Sequence, residues 1–332
     1  MKVAVVYNEP VVQGNEAALC SADVLAQVEA VSKALSASGH QALPFPLTRA
    51  SARRLPAQLA AAGIECAVNL CESLGEEARL QGHVAVLLEL ARVPYTGSDM
   101  LALTLTTDKH LAKKAMAASG IPTPRWALYA GGQPPAPPCP FPLILKPRHE
   151  DGSVGIEQDS VAADERELNA ALPRLFARHG DVIVEEFVEG REINVALLGY
   201  PELSALPVAE IELTGLPAGL WRIVGYRAKW EEGSAEYQRT PRRFPQDAAA
   251  LATANLAERA CRLFGCRDYA RVDLRLDEEG RPYVLEVNAN PCVSEGAGYA
   301  AALTQAGISY QDFVSRLVHF ALERGNPCAC AR

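Results

Sequence analysis

The sequence predicts a mixed α/β (α+β) fold, with an open α/β domain at the N-terminus followed by two α+β subdomains. The first hundred residues alternate apolar strand-like runs with helical spacing, and strands dominate from Val182 onward. A segment rich in Pro and Gly, GGQPPAPPCPFP, lies between these two regions. With 332 residues, 49% of them hydrophobic, the chain can form a sizeable core in more than one domain.

Composition argues against several classes of function. A formal net charge of -8 without a basic block disfavours nucleic-acid and membrane-surface partners and favours small-molecule substrates. No run of about 18 apolar residues occurs, and the opening MKVAVVYNEP predicts a first strand, so we expect a cytoplasmic protein. The nine cysteines form no CxxC pair, which disfavours a disulfide framework and a structural metal site.

The N-terminal substrate domain is predicted over residues 1–105. Lys2–Tyr7 predicts a strand, and Ser21–Ser38 carries apolar residues at helical spacing. A second apolar run, Ile64–Leu70, precedes another helical stretch at Leu80–Leu90. This alternation is typical of a parallel sheet, whose functional loops follow the carboxyl ends of its strands.

The central segment, residues 106–181, is predicted to form a hinged lid. Thr106–Ser119 predicts a helix with Thr107 or Asp108 as its N-cap. After the Pro-rich segment, LILKP predicts a short strand that leads into a polar, glycine-containing loop, EDGSVG.

Residues 182–325 are predicted to form a C-terminal catalytic subdomain with several strands and a long helix around Ala248–Phe264. The remaining residues, 326–332, are predicted to be a frayed tail. No function is assigned to Cys328 and Cys330 within it.

An acidic hairpin is predicted in ARVDLRLDEEGRPYVLEVNANP, with a type I turn at Asp277–Gly280. If Leu276 lies opposite Arg281, then Arg271 lies opposite Glu286. Side chains alternate between the faces of a strand, so one face is expected to carry four polar residues: Arg271, Asp273, Glu286 and Asn288.

Two carboxylates and an amide on one strand face are the oxygen ligands that Mg²⁺ accepts beside phosphates. The opposite face is expected to be buried and to include Val272, Leu274, Leu285 and Val287. A solvated outer face would show the same alternation, and the hairpin alone does not separate the two interpretations.

Three lysines and one turn upstream of the hairpin each allow two interpretations, a role in ligand binding or an ordinary surface position. Lys146 ends the apolar run LILK, where a charge is costly unless a phosphate or carboxylate meets it. Lys109 begins a helix and Lys229 follows a predicted strand in YRAKW, and each is also typical of a surface lysine. The turn in VIVEEFVEGRE is consistent with binding of an adenine edge by backbone groups and of a ribose diol by acids. It is equally consistent with an ordinary hairpin that has charged ends.

Taken in order, TTDK, LILKPRHEDGSVG, VEEFVEGRE, AKW, ARVD and LEVNANP resemble the ATP-grasp fold. With VPYTGSDMLALTLTTDK they resemble its D-alanine:D-alanine ligase branch, from about Asn69 to the C-terminus. Ordered co-occurrence of short motifs is more specific than any one of them. The resemblance implies two α+β subdomains that sandwich ATP and an ADP-forming ligase that joins a carboxylate to an amine through an acylphosphate. It also implies a homodimer.

The resemblance implies a nucleotide site and a metal site. The residues implied to bind ATP are Lys109, Lys146, Gly152, Ser153, Val154, Glu185, Phe187, Val188, Glu192 and Lys229. The residues implied to bind two Mg²⁺ ions, or Mn²⁺ in their place, are Asp273, Glu286 and Asn288. Arg271 and Lys229 are the implied catalytic groups, with Arg271 stabilising the oxyanion of the tetrahedral intermediate.

The chain departs from the family pattern at substrate positions. The family's Gly-Gly-Ser stretch is absent near the N-terminus, and Gly152 and Trp230 stand where the family has a loop Ser and a Tyr. A family His corresponds to Cys71. The family's Gly-Met-Thr and later Ser correspond to Cys292, Val293, Ser294 and Ala297.

A site built on hydrogen bonds rejects analogues that lack its groups, so these losses predict substrates other than two D-alanines. A divergent D-alanine:D-alanine ligase is the alternative, and an ATP-binding module without turnover or a kinase are further ones. Candidate substrate contacts are Asp23, Glu72, Glu76, Trp230 and Cys292. Each has an ordinary role, as a cap, a surface acid or a packing side chain, as its alternative.

Overall fold

The computed structural model describes residues 1–10 and 18–325, with side chains from residue 22 onward in the first helix. The predicted tail with Cys328 and Cys330 lies outside the described residues. Within the described part of the chain, no helix is long and apolar enough to cross a membrane.

The N-terminal region contains a parallel sheet of three strands in the order β2-β1-β3, as the alternation predicted. The strands are β1 (Lys2–Asn8), β2 (Gln41–Leu47) and β3 (Cys66–Asn69). Its helices are α1 (Ala18–Ala37), α2 (Arg49–Ala52), α3 (Leu55–Ala62), α4 (Gln81–Leu90) and α5 (Met100–Thr107). The central strand β1 is buried on both faces, since Val3 and Val5 contribute to one apolar cluster and Ala4 and Val6 to another.

The predicted helix Thr106–Ser119 is in fact the junction of two helices. Helix α5 ends at Thr107, and α6 (Lys109–Ala118) begins after Asp108. Asp108 has extended backbone angles, which interrupt the helix, and its Oδ1 accepts hydrogen bonds at 3.1 Å from the N–H groups of His110 and Leu111. The prediction of Asp108 as an N-cap is therefore confirmed.

The central segment, predicted to form the lid, contains a four-stranded antiparallel sheet in the order β4-β7-β5-β6, backed by one helix. Its elements are β4 (Trp126–Tyr129), β5 (Leu143–Pro147), β6 (Val161–Ala162), α7 (Glu165–His179) and β7 (Val182–Glu186). Because β7 pairs with both β4 and β5, the predicted boundary between residues 181 and 182 falls inside this sheet. The boundary was placed where strands begin to dominate, and sequence order does not reveal which strands pair.

The C-terminal region contains a six-stranded antiparallel sheet in the order β11-β10-β8-β12-β13, with β9 paired to β8. The strands are β8 (Arg191–Gly199), β9 (Ser204–Ala205), β10 (Ala209–Ile211), β11 (Arg242–Arg243), β12 (Asp268–Leu276) and β13 (Pro282–Asn288). The helices are α8 (Tyr226–Trp230), α9 (Ala235–Gln238), α10 (Ala248–Phe264), α11 (Gly298–Gln305) and α12 (Tyr310–Gly325). Helix α10 packs against β8 and β12.

The predicted strand at YRAKW is wrong, because this segment is helix α8. Tyr226 and Trp230, four residues apart, bring their rings to 6.5 Å, which is the helical neighbour relation. Two aromatic residues in a short segment favour a strand on propensity alone, and the tertiary context overrides that preference here.

The hairpin forms, but its register differs from the prediction. The turn closes with a 3.0 Å hydrogen bond from the Gly280 N–H to the Asp277 carbonyl oxygen. Leu276 lies opposite Pro282, one residue beyond the predicted partner. A β-bulge next to Asp273 then shifts the pairing once more.

The first shift moves the side chains of β13 near the turn to the opposite face, and the second shift reverses this beyond the bulge. A slip of one residue exchanges the faces of a strand, and a second slip restores them. Val284 is therefore fully buried, and Leu285 lines a cavity beside Glu286, the reverse of the prediction. Beyond the bulge Asp273 lies opposite Glu286, so the predicted polar face is retained.

Candidate functional site

The polar face of the β12–β13 hairpin forms the centre of the site. Arg271 donates two hydrogen bonds to Asp273, from Nε to Oδ1 at 2.8 Å and from Nη2 to Oδ2 at 2.9 Å. Asn194 and Asn288 also donate to the Asp273 carboxylate, at 2.9 and 3.3 Å. Burial lowers the pKa of Arg271, but Asp273 outweighs burial and raises it. The two hydrogen bonds therefore hold the Arg271 guanidinium in one geometry against Asp273.

The donor set on this face fits a magnesium ion only together with a phosphate. Within residues 1–10 and 18–325, no group of three or more His, Cys, Asp or Glu residues is arranged to hold a metal ion. Mg²⁺ commonly takes one or two carboxylates beside substrate phosphates and waters. Asp273 and Glu286 supply two carboxylates from opposite positions of the hairpin. Asn288 uses its amide N–H on Asp273, which leaves its carbonyl oxygen for a ligand.

Lys109 connects the hairpin to the loop after β5. Its Nζ donates to the Glu150 carbonyl oxygen and lies 3.4 Å from Asp151 Oδ1 and 3.5 Å from Glu286 Oε2. Burial lowers the pKa of Lys109, but Glu286 and Asp151 outweigh burial and raise it. Burial likewise raises the pKa of Glu286, but the surrounding lysines, Lys109 first, hold it well below its usual range.

A buried group of three charges lies where α6 meets strands β5 and β7. Glu185, 1% exposed, pairs with Lys146 at 2.8 Å and with Lys113 at 2.7 Å. Burial raises the pKa of Glu185, but Lys113 and Lys146 outweigh burial and lower it. Sequence analysis missed Lys113. Its position four residues after Lys109, on the same face of α6, was the available signal.

A small cavity of about 70 Å³ lies between the lid sheet and the hairpin. It is lined by β5 and β7 from the lid and by β12 and β13 from the C-terminal sheet. The structure brings together here seven of the residues that sequence analysis assigned to ATP: Lys146, Ser153, Glu185, Phe187, Val188, Glu192 and Lys229.

Glu192, one of the residues implied to bind ATP, is held in the small cavity by an arginine that was not predicted. Arg275 Nη2 lies 2.9 Å from Glu192 Oε2, and the Arg275 guanidinium lies 5.8 Å from the centre of the Phe187 ring. Arg275 also donates to the carbonyl oxygens of Gly190 and Arg222. This arginine fixes the acid and the aromatic ring relative to each other.

The EDGSVG loop is anchored on the segment around α8. Trp230 Nε1 donates to the Gly152 carbonyl oxygen at 2.8 Å, and Ser153 Oγ donates to the Val224 carbonyl oxygen at 2.9 Å. Gly152 and Ser153 both have positive φ angles, 64° and 63°, which form the tight turn. An indole–carbonyl hydrogen bond thus joins Trp230 and Gly152, the two positions at which the family has a Tyr and a loop Ser.

A large cavity of about 840 Å³ adjoins the small one, and Glu192, Lys229 and Asp273 line both. One stripe of α1, including Asp23, forms part of its wall. The Lys229 side chain makes no hydrogen bond or ion pair with the residues that the structure describes, although its charge helps to lower the pKa of Glu286. The other predicted residues on its wall are Asp23, Gly152, Glu72, Trp230, Arg271, Asn288 and Cys292.

Two acids in the wall of the large cavity, Asp23 and Glu72, both lie next to the side-chain amide of Gln27. Gln27 Nε2 donates to Glu72 Oε1 at 2.8 Å and lies 3.4 Å from Asp23 Oδ2. The Cys292 thiol donates to the same Asp23 oxygen at 2.9 Å. The side-chain amide oxygen of Gln27, Oε1, accepts a hydrogen bond from the Val293 N–H. Burial raises the pKa of Glu72 to about 7; the hydrogen bond from Gln27 opposes this shift, and nearby carboxylates add to it. Gln27 was not predicted.

Not every predicted residue reaches the two cavities. Glu76 lies in an exposed turn with a φ of 68° and lines neither cavity. Val154 is buried behind the loop. Cys71, at the position of the family His, is fully buried, and its carbonyl oxygen accepts a 2.9 Å hydrogen bond from Asn290.

Comparison with known proteins identifies the family. A family model described as D-ala D-ala ligase C-terminus matches residues 136–319, which is more than half of the chain. The chain belongs to the D-alanine–D-alanine ligase family. It is an enzyme of the ATP-grasp type, as the ordered motifs predicted.

Relatives of this ligase-like chain cover most of its length. A D-alanine--D-alanine ligase from Syntrophotalea carbinolica is 35% identical over 294 residues, which is 87% of this chain and 88% of that protein. A protein named y4sG from Sinorhizobium fredii is 37% identical over 257 residues, 77% of this chain and 74% of that protein. The Bacillus anthracis D-alanine--D-alanine ligase complexed with ATP superposes with a TM-score of 0.76 at 22% identity over 98% of each chain.

Proposed function

We propose that this enzyme is an ATP-dependent, ADP-forming ligase that joins a carboxylate to an amine through an acylphosphate. The observation that carries the proposal is the meeting of the hairpin face with three lysines from separate elements. Lys109 reaches Glu286 from α6, and Lys146 and Lys229 line the same small cavity from β5 and α8. Phosphoryl transfer mainly requires positioned phosphates and neutralised charge, which this set supplies.

ATP and Mg²⁺ are the proposed cofactors. The related ligase from Bacillus anthracis was solved with ATP, which supports nucleotide binding by analogy. Asp273, Glu286 and Asn288 would hold Mg²⁺, or Mn²⁺ in its place, together with the phosphates. When bound, the metal would neutralise phosphate charge and orient the transferred group.

Arg271 is proposed to stabilise the oxyanion that forms when the amine attacks the acylphosphate. In the structure, both Asp273 oxygens are engaged by Arg271. The Arg271 guanidinium also lines the large cavity, where it would meet the negative charge that develops on the substrate. The anchored EDGSVG loop would keep water away from the acylphosphate.

The proposed substrates are not two D-alanines. The Trp230–Gly152 hydrogen bond, the Cys292–Asp23 contact and the Ala297 cap without a side-chain hydrogen bond support a different set of substrate contacts. Asp23 and Glu72 are the proposed contacts for a cationic group of the first substrate. The alternative is a divergent D-alanine–D-alanine ligase, which the names of the relatives favour.

We further propose a cytoplasmic location and a homodimer. The described cysteines Cys66, Cys71, Cys139, Cys261, Cys266 and Cys292 are all free thiols, which is typical of a reducing compartment. The homodimer follows from the family resemblance alone.

The test is ADP release across a panel of amino acids and small carboxylic acids, offered singly and in pairs, with mass analysis of the product. We expect ADP, phosphate and an amide from a pair other than two D-alanines. D-alanyl-D-alanine from D-alanine alone, at the highest rate of the panel, would select the alternative. A phosphoester without free phosphate would indicate a kinase, and no ADP with any pair would contradict the ligase.

A further inference from the structure

Arg148 joins three elements around two of the proposed phosphate-binding lysines, Lys109 and Lys146. It directly follows strand β5, and its guanidinium donates two hydrogen bonds to the Asp108 carboxylate, from Nε at 2.9 Å and from Nη2 at 2.6 Å. A third hydrogen bond, from Nη1 to Asp181 Oδ2 at 2.8 Å, reaches the residue before β7. Because Asp108 is the N-cap of α6, this one side chain connects the end of β5 to the starts of α6 and β7.

The backbone of the same segment makes further contacts with Lys109. The Arg148 carbonyl oxygen accepts a 3.1 Å hydrogen bond from the Lys109 N–H, and the Arg148 N–H donates to the Asp181 carbonyl oxygen at 2.9 Å. Two residues further along, the Glu150 carbonyl oxygen accepts a hydrogen bond from Lys109 Nζ. The segment that begins at Arg148 therefore contacts both the backbone and the ammonium group of Lys109.

The two lysines belong to different elements that Arg148 holds together. Lys146 lies in β5, two residues before Arg148, and Lys109 directly follows Asp108 as the first residue of α6. Arg148 itself lines neither of the two cavities, and its side chain is 20% exposed. A planar guanidinium that makes two parallel hydrogen bonds to a carboxylate sets both the distance and the angle between the two groups. The contact with Asp108 therefore sets the position of α6 relative to β5.

We propose that Arg148 is a positioning residue of the ATP site, which sets the place of Lys109 relative to Lys146 so that both lysines meet the same phosphate groups. This inference rests on the proposed function and adds a residue that does not itself touch the nucleotide. Lys146 is held by Glu185 at 2.8 Å, whereas the two carboxylates nearest to Lys109 Nζ lie at 3.4 and 3.5 Å. Lys109 is therefore the lysine whose position depends more on Arg148 and its segment.

The test compares Arg148→Ala with Arg148→Lys and with a matched control, Arg174→Ala. Arg174 is an arginine of the same subdomain whose side chain is 53% exposed, pairs with Asp159 at 2.7 Å and lines neither cavity. Isothermal titration calorimetry in the presence of Mg²⁺ measures the binding of a non-hydrolysable ATP analogue and of adenosine, which has no phosphates. The two ligands separate an effect on the phosphate-binding lysines from a general change of structure.

In Arg148→Ala, the affinity for the ATP analogue is expected to fall about 10-fold, because Lys109 is no longer held in place for the phosphates. The affinity for adenosine should stay within about 2-fold of the wild type, since the changed contacts lie at the phosphate end of the site. Arg148→Lys keeps the charge but cannot make two parallel hydrogen bonds, so we expect a smaller loss of about 3- to 5-fold for the analogue. Arg174→Ala should bind both ligands like the wild type.

A double-mutant cycle with Lys109→Ala tests whether Arg148 acts through this lysine. Lys109→Ala alone is expected to lower the affinity for the ATP analogue about 10- to 100-fold, because it removes a charged contact. If Arg148 acts through Lys109, the addition of Arg148→Ala to this variant changes the affinity by less than about 2-fold. A merely structural role would add its own loss and would weaken adenosine binding as well.

Three results would overturn the inference: unchanged affinity for the ATP analogue in Arg148→Ala, equal losses for the analogue and adenosine, or additive losses in the double variant. If circular dichroism shows that Arg148→Ala does not fold, Arg148→Lys takes its place in the same three comparisons. ADP release by the wild type decides the proposed function separately. Intact ADP release with unchanged analogue affinity in the Arg148 variants would refute the role of Arg148 and leave the ligase standing, whereas the expected losses without any ADP release would do the reverse.

Discussion

The small and the large cavity differ in how their charges are balanced. In the small cavity, Lys146 pairs with Glu185 and Arg275 pairs with Glu192, all through contacts shorter than 3 Å. In the large cavity, Arg271 and Asp273 form an ion pair, but the side chain of Arg242 has no hydrogen-bond or ion-pair partner within the part of the chain that the structure describes. Asp23 and Glu72 there share a single amide.

This difference indicates that the small cavity keeps its geometry without a ligand, whereas the large cavity does so to a lesser degree. Paired and buried charges keep their geometry without a ligand, which suits a site that must position phosphates identically in every turnover. Charges without a partner are stabilised when a substrate brings the opposite charge. Removing a charge that is paired and buried, as in the core of the small cavity, should therefore destabilise the protein, whereas removing an unpaired charge from the large cavity should not.

The largest effect is expected for Glu185→Gln, which removes the counter-charge of Lys113 and Lys146. Two buried lysines would then face each other without a carboxylate, so we expect the free energy of unfolding to fall by about 3–5 kcal/mol. Urea unfolding followed by circular dichroism measures the change.

The matched control is Glu186→Gln, one residue further along β7. Glu186 pairs with Arg125, whose side chain is 59% exposed, so the loss is expected to stay below about 1 kcal/mol. Equal unfolding midpoints for Glu185→Gln and the wild type would contradict the charge balance proposed for the small cavity.

The second-largest effect is expected for Asp273→Asn, because Asp273 lines both cavities. This change removes one of the two carboxylates of the proposed metal site. ADP release is expected to fall at least about 100-fold. Binding of Mn²⁺, followed by electron paramagnetic resonance in the presence of ADP, should weaken in parallel and does not depend on turnover.

Glu279→Gln is the control for the hairpin, because Glu279 lies in its exposed turn with a side chain that is 65% exposed. Its ADP release and Mn²⁺ binding should match the wild type. Unchanged Mn²⁺ affinity in Asp273→Asn would remove Asp273 from the metal site.

Much of the small cavity was predictable because its residues lie in short motifs with a fixed order. Lys146 at the end of an apolar strand and the two acids of the hairpin carry local signals. The register was not predictable, since a bulge beside Asp273 leaves no signature in the alternation of apolar residues. The strand predicted at YRAKW failed because aromatic propensity is weaker than tertiary packing.

The residues missed by sequence analysis are those whose role depends on distant parts of the chain. Gln27 bridges to Glu72 across 45 positions, and Arg148 reaches Asp108 across 40 positions. Lys113 and Arg275 resemble ordinary surface residues until the fold buries them beside acids. A single sequence gives the type of each residue but not these contacts.

The smallest effect is expected in the large cavity, where removing a charge should stabilise the protein. Burial raises the pKa of Glu72 to about 7 against the opposing effect of the Gln27 hydrogen bond, and nearby carboxylates raise it further. A pKa raised above that of a free glutamate means that the folded state favours the protonated form. The resulting stability is present below about pH 4.5 and is lost as the pH rises towards 7.

Glu72→Gln imitates the protonated form at every pH and can still accept the hydrogen bond from Gln27. Because Glu72 is partly open to the cavity, we expect a gain of only about 1–2 kcal/mol at pH 8, or roughly 2–4 °C in Tm, and no gain at pH 4.5. Scanning calorimetry at both pH values measures it. Glu29→Gln, an exposed acid on the same wall, should leave Tm unchanged at either pH. A lower Tm for Glu72→Gln at pH 8 would show that the acids of the large cavity are already balanced, and the contrast between the two cavities would fail.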